Sequence, residues 1–301
     1  MSTKNHFIFP TYVQMYPYSK DRPFLKQVRE KLRYYGYKWL YKKQCHQLVD
    51  FLNKEMQWQP LFTQDYYRIN TILTAFCDKR FSASERLTAI TENLRLAEEK
   101  MGRLLCQQLL DQQHIVLTQL TEDLRLSLSI NHIDPFEGYF SINIRNQNNE
   151  RVYDASFAFL SPNKLLIASI QGPSSGNASS GNASSGNAQE LVKQATKALH
   201  GMRPMFLLVY AFKMLAEKWQ CELVGIPHKA QGKYRLSSRS KILFNYNEFW
   251  RENQGKYDNN YWQLPLDIER KQLEDIASKK RSMYRKRYEM LDQMALDIQQ
   301  L

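Results

Sequence analysis

The residues best suited to binding a phosphate follow a buried-looking strand in the second half of the chain. Residues 165–170 are apolar or small and run into Gln171-Gly172-Pro173, and a helix is predicted from about residue 189. A glycine turn between a strand and a helix leaves backbone N–H groups free, and the helix dipole favours an anion there. We therefore expect Gln171 and Gly172 to bind the phosphate of a cofactor. A plain turn is the alternative, because Pro173 has no N–H to offer.

Between this turn and the helix lie three copies of Ser-Ser-Gly-Asn-Ala, residues 174–188. Small polar residues behave as a flexible linker that tolerates changes of length. The repeats are therefore predicted to form a flexible loop without a role in the chemistry.

Four polar side chains fall at helical spacing after the loop: Thr196, Lys197, His200 and Arg203. His200 has an intrinsic pKa suited to a general base. Lys197 and Arg203 are expected to bind the cofactor's phosphate, Arg203 through its bidentate guanidinium. The alternative is structural, since Gly201 is a natural helix C-cap and a histidine at a helix C-terminus interacts favourably with the dipole.

Other candidates lie in the last quarter of the chain. Glu248 is a second candidate catalytic acid or base, although a surface carboxylate is the plainer interpretation. Tyr246 and Trp250 are predicted to line a substrate pocket, or else to close the core. Three cations in a basic run are predicted to bind an anionic substrate, with a solvated helix face as the alternative: Lys279, Lys280 and Arg281.

Composition favours a globular protein with anionic partners. The formal net charge of +12 points to nucleic acid, anionic lipid or phosphorylated ligands, and the alternative is an ordinary soluble protein that is basic without such a partner. Basic and tyrosine residues interleave over residues 26–43. We interpret this stretch as a solvated helix face with its tyrosines turned inward, with RNA or membrane contact as the alternative.

The four cysteines are scattered without a CxxC pair, which indicates neither a disulfide framework nor a zinc site and fits a reducing compartment. No histidine and cysteine spacing indicates a metal. There is no visible secretory signal, and the longest apolar run is too short to span a bilayer. We therefore expect a cytoplasmic protein, with peripheral association with the inner membrane as the alternative.

Periodicity predicts an α+β fold in two parts. Residues 1–112 are predicted as a helical region, with a helix from Pro23, a second over residues 37–53 and a third capped by Ser82 or Ser84. Residues 113–301 are predicted as a mixed, mainly antiparallel sheet with helices and a C-terminal basic helix. The predicted strands are 115–117, 124–130, 139–144, 152–160, 164–171 and 222–226, and the predicted later helices are 189–200, 204–219 and 273–301. The strand–helix–strand unit at 164–226 places one parallel pair near the centre.

Several sequence blocks resemble the VirK/YbjX family of bacterial proteins. They are Gln171-Gly172-Pro173, residues 196–204 (TKALHGMRP), residues 245–250 (NYNEFW), Leu264-Pro265, residues 278–281 (SKKR) and residues 284–288 (YRKRY). Asn247 departs from the aspartate that members often carry there. The resemblance implies an intracellular protein of Gram-negative bacteria, associated with virulence and with resistance to cationic antimicrobial peptides. It implies no particular reaction.

The predicted order of elements also resembles the layout of GNAT acyltransferases, which include lysine acyltransferases that activate bacterial toxins. By this fold-level analogy the donor would be acyl-CoA or an acyl carrier's phosphopantetheine, with its pyrophosphate at the turn after residue 171. The alternative is a non-enzymatic protein that contacts RNA, anionic lipid or an envelope partner through its basic surface. A parting of strands 164–171 and 222–226 beside Gln171 would favour the transferase.

Overall fold

The computed structural model describes residues 6–173, 185–232 and 244–301, and residues 185–187 by their backbone alone. Most of the repeat, residues 174–184, lies outside the described residues, so its predicted flexibility stays a prediction. The helix that was predicted to follow the repeats begins at Ser185, inside the third repeat and four residues before its predicted start.

Seven helices form the N-terminal part of the chain. They are α1 (Tyr12–Met15), α2 (Phe24–Leu40), α3 (Lys42–Lys54), α4 (Gln59–Thr63), α5 (Asn70–Leu73), α6 (Ala83–Met101) and α7 (Arg103–Gln112). The predicted cap of α6 is confirmed, because the Ser82 hydroxyl accepts from the Glu85 N–H while the Glu85 carboxylate accepts from the Ser82 N–H. Gly102 ends α6 with φ 82°, and Leu104 just beyond it is 83% exposed.

The rest of the chain forms an eight-stranded sheet with helices, and the predicted α+β class is confirmed. The strands are β1 (His114–Gln119), β2 (Leu124–Ile130), β3 (Phe140–Asn146), β4 (Arg151–Leu160), β5 (Lys164–Gln171), β6 (Glu222–Gly225), β7 (Lys256–Asp258) and β8 (Tyr261–Gln263). Their order is β1-β2-β3-β4-β5-β6-β8-β7. The pairing of β5 with β6 is parallel and every other pairing is antiparallel. The β7–β8 hairpin was not predicted.

The described residues of this region also form four α-helices: α8 (Ser185–Ala198), α9 (Pro204–Lys218), α10 (Tyr246–Glu252) and α11 (Ser278–Gln299). The crossover from β5 to β6 runs through α8 and α9, as a parallel pair requires. The C-terminal helix begins five residues later than predicted, because Leu273–Asp275 forms a separate 3-10 turn. Within the described ranges, no helix is both long and apolar enough to cross a membrane.

A tryptophan from α10 packs directly against β6. Trp250 is fully buried, and its indole N–H donates to the Ile226 carbonyl at 2.8 Å. The ring lies so close to β6 that a Cβ built on Gly225 would be 2.5 Å from indole atom Cε2. Glycine is therefore required at position 225 by the approach of the ring.

This close approach predicts opposite outcomes for two glycine-to-alanine substitutions. Gly225→Ala should lower the free energy of unfolding by about 1–3 kcal/mol, because Trp250 must move. Gly36→Ala is the control, since nothing lies within 4 Å of its added Cβ on α2. It should raise stability by about 0.5–1 kcal/mol. Urea unfolding measures both, and equal effects would contradict the described packing.

Candidate functional site

The two parallel strands part beside Gln171. Pairing of β5 with β6 covers Lys164 to Ile167, and its last bond runs from the Ile226 N–H to the Ile167 carbonyl at 3.1 Å. Beyond this point β5 continues beside β4 alone. A β-bulge between β4 and β5 lies at the same point. Phe157 is opposite Ile167 while its neighbour Ser156 is opposite Ser169, so Ala168 is the extra residue. Bulges of this kind turn the backbone and are frequent next to active sites.

One tyrosine side chain hydrogen-bonds to the edge of β5 where β5 no longer pairs with β6. We call this part the freed edge. The hydroxyl of Tyr246 accepts from the Ile170 N–H at 2.9 Å and donates to the Ile170 carbonyl at 2.9 Å. Tyr246 is the first residue of α10 and is 4% exposed. Burial, and then the charge of Glu137, raise its pKa far above the ordinary tyrosine value. The hydroxyl is therefore neutral and occupies the place of a neighbouring strand's amide.

A buried carboxylate joins the same end of β5. Glu137 is 3% exposed and accepts hydrogen bonds from the Ser169 hydroxyl at 2.9 Å and from the Gln171 amide at 2.7 Å. It closes the 3-10 turn Pro135–Glu137, whose cap is Asp134. Sequence reasoning treated this turn only as a boundary between strands and missed Glu137.

Small polar residues extend from this point across four strands. The register places Ser129, Ser141, Ser156 and Ser169 in one row, and Ser127, Asn143, Asp154 and Gln171 in a second row. Every member except Gln171 is buried. The signal was present in the sequence, because each strand carries small polar residues at alternate positions where a solvent-facing strand would carry long charged ones. We call these eight residues the polar rows.

Hydrogen bonds link members of the polar rows to each other and to the site. Ser156 and Ser169 share a 2.6 Å hydroxyl–hydroxyl bond, and Ser169 continues to Glu137. At the other end, the Asn143 amide donates to the Ser129 hydroxyl at 2.9 Å. Buried polar groups with such partners are held in fixed orientations.

Three of the residues predicted from the sequence lie at this site. Gln171 binds Glu137, and Gly172 lies against Tyr153, whose ring would be 3.0 Å from a Cβ at that position. Tyr246 contacts β5 as described. Trp250 is next to Tyr246, with ring centroids 5.9 Å apart, but its indole packs on β6 inside the core.

His200 lies at a different junction, where α8 meets α9. His200 and Gly201 both have positive φ, 53° and 76°. The carbonyl of His200 accepts from the Arg287 guanidinium at 2.6 Å and 3.2 Å. Burial and the neighbouring Lys286 and Arg287 charges lower the pKa of the imidazole, so it is neutral near pH 7.

The remaining predicted residues are on the surface. Lys197, Arg203, Glu248, Lys279 and Lys280 are exposed. Arg281 donates to the carbonyls of Ile276 and Glu274 at 2.9 Å and 3.1 Å and so stabilises the turn before α11. Among the described residues, no hydrogen bond or ion pair links His200 or Glu248 to Gln171.

The departure from the family pattern at Asn247 has a structural setting. Its Oδ1 accepts from the His228 N–H at 3.0 Å and from the Trp262 indole at 3.1 Å. An acceptor oxygen is what this position needs, and either an amide or a carboxylate provides one.

The cysteines are free and buried. Burial raises the pKa of Cys45 to about 11 and that of Cys106 to about 12. Such thiols are protonated at neutral pH and are poor nucleophiles. No group of three or more metal-ligating side chains occurs within the described part of the chain.

Comparison with known proteins shows the family. A family model described as "Protein of unknown function (DUF535)" matches residues 23–300. A Haemophilus influenzae protein named "Uncharacterized protein" is 90% identical over the full length of both chains. "Membrane protein LapB" of Mannheimia haemolytica is 34% identical over 76% of this chain and 96% of its own. "Uncharacterized protein YbjX" of Escherichia coli is 39% identical over 34% of this chain and 32% of its own. No solved structure matches. The chain belongs to the DUF535 family, and the VirK/YbjX resemblance is confirmed.

The contact at His200 predicts that Arg287 is needed for its geometry as well as its charge. Arg287→Lys should lower the free energy of unfolding by about 1–2 kcal/mol, because lysine cannot donate twice from a planar fork. Arg285→Lys is the matched control on the exposed side of α11 and should change stability by less than about 0.5 kcal/mol. Thermal or urea unfolding measures both, and an unaffected Arg287→Lys variant would refute the role of this contact.

Proposed function

We propose that this member of the VirK/YbjX family transfers an acyl group from a phosphopantetheine thioester to an acceptor at the end of β5. The observation that carries the proposal is the parting of β5 and β6 after Ile167, in a sheet with one parallel pair. A parting of these two strands beside Gln171 is what was expected of a transferase. The strand order supports the GNAT-like layout as an analogy.

The donor's pantetheine arm suits the freed edge of β5. The arm is an extended chain with two amide groups, so it can pair with a strand as a peptide does. The Ile170 N–H and carbonyl would bind one amide once the Tyr246 hydroxyl moves aside. Gln171 and Gly172, with Lys197 and Arg203, are proposed to bind the phosphates of acyl-CoA or of an acyl carrier.

The general-base role is best assigned to Glu137. Its carboxylate shares the Ser169 and Gln171 hydrogen bonds at the end of β5, whereas Glu248 is exposed and His200 is bound into another junction. The acceptor's amine or hydroxyl attacks the thioester carbonyl, a new C–N or C–O bond forms and the C–S bond breaks. Glu137 takes the acceptor's proton and returns it to the leaving thiolate.

The acceptor is proposed to belong to the bacterial envelope. One relative is named a membrane protein, and the family resemblance implies a link to virulence and to resistance against cationic antimicrobial peptides. Acylation of a lipid-linked molecule or a membrane-bound protein would be consistent with both the relative's name and the implied link to resistance. Tyr246 would then line the apolar side of the substrate pocket, with Trp250 packed behind it in the core.

A binding role without chemistry is the second candidate. Lys279 and Lys280 are exposed in the first turn of α11 and are free to meet RNA, anionic lipid or an envelope partner. Tight binding of an anionic partner together with the absence of transfer from every donor would favour this role.

The transfer proposal predicts a specific loss in one variant. With acyl-CoA or acyl carrier as donor and envelope extract as acceptor, Glu137→Gln should lower thiol release by at least about a hundredfold, since a general base contributes that much. The dissociation constant for the donor should stay unchanged, because the amide keeps the contact with Ser169. Calorimetry measures donor binding and mass spectrometry measures the acylated product.

Glu248→Gln is the control and should keep full activity if Glu137 is the base. Unfolding midpoints of both variants exclude a general loss of structure. Equal activity of Glu137→Gln and the unmodified protein, or the absence of binding by any donor, would sink the proposal.

A further inference from the structure

The apolar face of α2 points away from the protein. Seven residues of this helix are exposed and apolar or aromatic: Phe24, Leu25, Val28, Leu32, Tyr35, Trp39 and Leu40. Leu25 is 81% exposed and Trp39 is 80% exposed. At 3.6 residues per turn all of them except Leu40 fall within an arc of about 100°. A surface helix of a globular protein normally turns such a stripe to the core, whereas α2 turns its stripe to the solvent.

The inward side of α2 is polar and aromatic instead. Tyr34 is buried there and donates to the Pro10 carbonyl at 2.5 Å, while Glu30 accepts from Arg22 at 2.6 Å. This side forms a wall of a cavity of about 630 Å³ whose lining includes Tyr16, Tyr18, Tyr34, Tyr37, Tyr66 and Tyr67. The helix is therefore held by its polar face, and its apolar stripe is left for another environment.

Cations border the stripe on both edges. Helical geometry places Lys31 just beyond one edge of the stripe and Arg29 just beyond the other, whereas Lys26 and Arg33 fall on the inward half of the helix. Lys38 lies over the Phe9 ring. Glu30 is the one acidic residue of α2, and it lies on the inward side. Within the described chain, Arg29 and Lys31 take part in no ion pair.

We infer that α2 lies in the surface of an anionic phospholipid bilayer. An apolar stripe with a cation at each edge matches acyl chains beneath a negative headgroup layer, and tyrosine and tryptophan suit the boundary between them. A second copy of the chain is a poor occupant, because its own cations would face these. This docking does not depend on acyl transfer and stands whether or not the protein is an enzyme.

Trp39 reports on the docking directly. The chain has five tryptophans, and Trp58, Trp219, Trp250 and Trp262 are buried. Vesicles of equal parts phosphatidylglycerol and phosphatidylcholine should shift the fluorescence of Trp39 to shorter wavelength and protect it from acrylamide. Pure phosphatidylcholine vesicles should bind far less, and added salt should weaken binding to the anionic vesicles.

Variants separate the apolar and the electrostatic contributions. Leu32→Glu should lower the partition coefficient by about a hundredfold, since it places a charge in the stripe. Substitution of Arg29 and Lys31 by glutamine should lower it by about 25-fold, at roughly fivefold for each cation. Leu104→Glu changes a leucine on α7 that is also highly exposed, and it is the control that should bind as the unmodified protein does.

The proposal is overturned if anionic and neutral vesicles bind equally, or if Leu32→Glu binds like the control. It is also overturned if Trp39 is shielded from acrylamide without vesicles and the chain sediments as a dimer, because a second copy would then cover α2. Circular dichroism and unfolding midpoints of each variant show that the fold is retained.

Discussion

The edge of β5 beyond Ile167 must find hydrogen-bond partners inside the protein, and the arrangement around it follows from that requirement. A buried N–H or carbonyl without a partner costs about 1–3 kcal/mol, so a sheet whose central strands part needs a substitute strand. The Tyr246 hydroxyl is that substitute, because it binds both polar groups of Ile170. The rest of α10 is fixed around it: Trp250 donates to Ile226 and packs on Gly225, and Asn247 accepts from Trp262.

The same constraint brings the site's polar groups together. Glu137 reaches β5 from a turn between β2 and β3, binds Ser169 and Gln171, and lies close enough to raise the pKa of Tyr246. The polar rows continue this network under four strands. A carboxylate, a neutral hydroxyl and a backbone N–H at one point are the groups that acyl transfer uses, which is why the proposed chemistry is placed there.

Local patterns predicted most of the fold. Alternation and turn residues located β1 to β6 to within a few residues, and the Ser82 cap located α6, because both signals are contained in short segments. The β7–β8 hairpin was missed although Asn259 and Asn260 are typical of its two-residue turn, since its strands have only three residues each. The inward tyrosines of α2 were predicted, and Tyr34 and Tyr37 do line the inward cavity, although Tyr35 is exposed. The outward apolar stripe was not predicted, because periodicity shows that a helix has two faces and not which one meets a neighbour.

Only part of the site was predicted, because some of its residues come together only in the folded sheet. Gln171 was found because its neighbours along the chain form a strand and a glycine turn. Glu137 was missed because it lies 34 residues away in sequence and joins Gln171 only in the folded sheet. His200 was selected for its imidazole, whereas the contact that the structure shows is made by its backbone carbonyl, which Arg287 binds.

Hydrogen–deuterium exchange with and without acyl-CoA tests the central claim most directly. If the parted edge of β5 is the donor slot, acyl-CoA should change the exchange of peptides containing Ile170 and of α10, where Tyr246 must move. Peptides from β2 should stay unchanged, because they lie three strands away in the sheet. Donor binding without any change at Ile170 and α10, or with changes confined to other parts of the chain, would contradict the account.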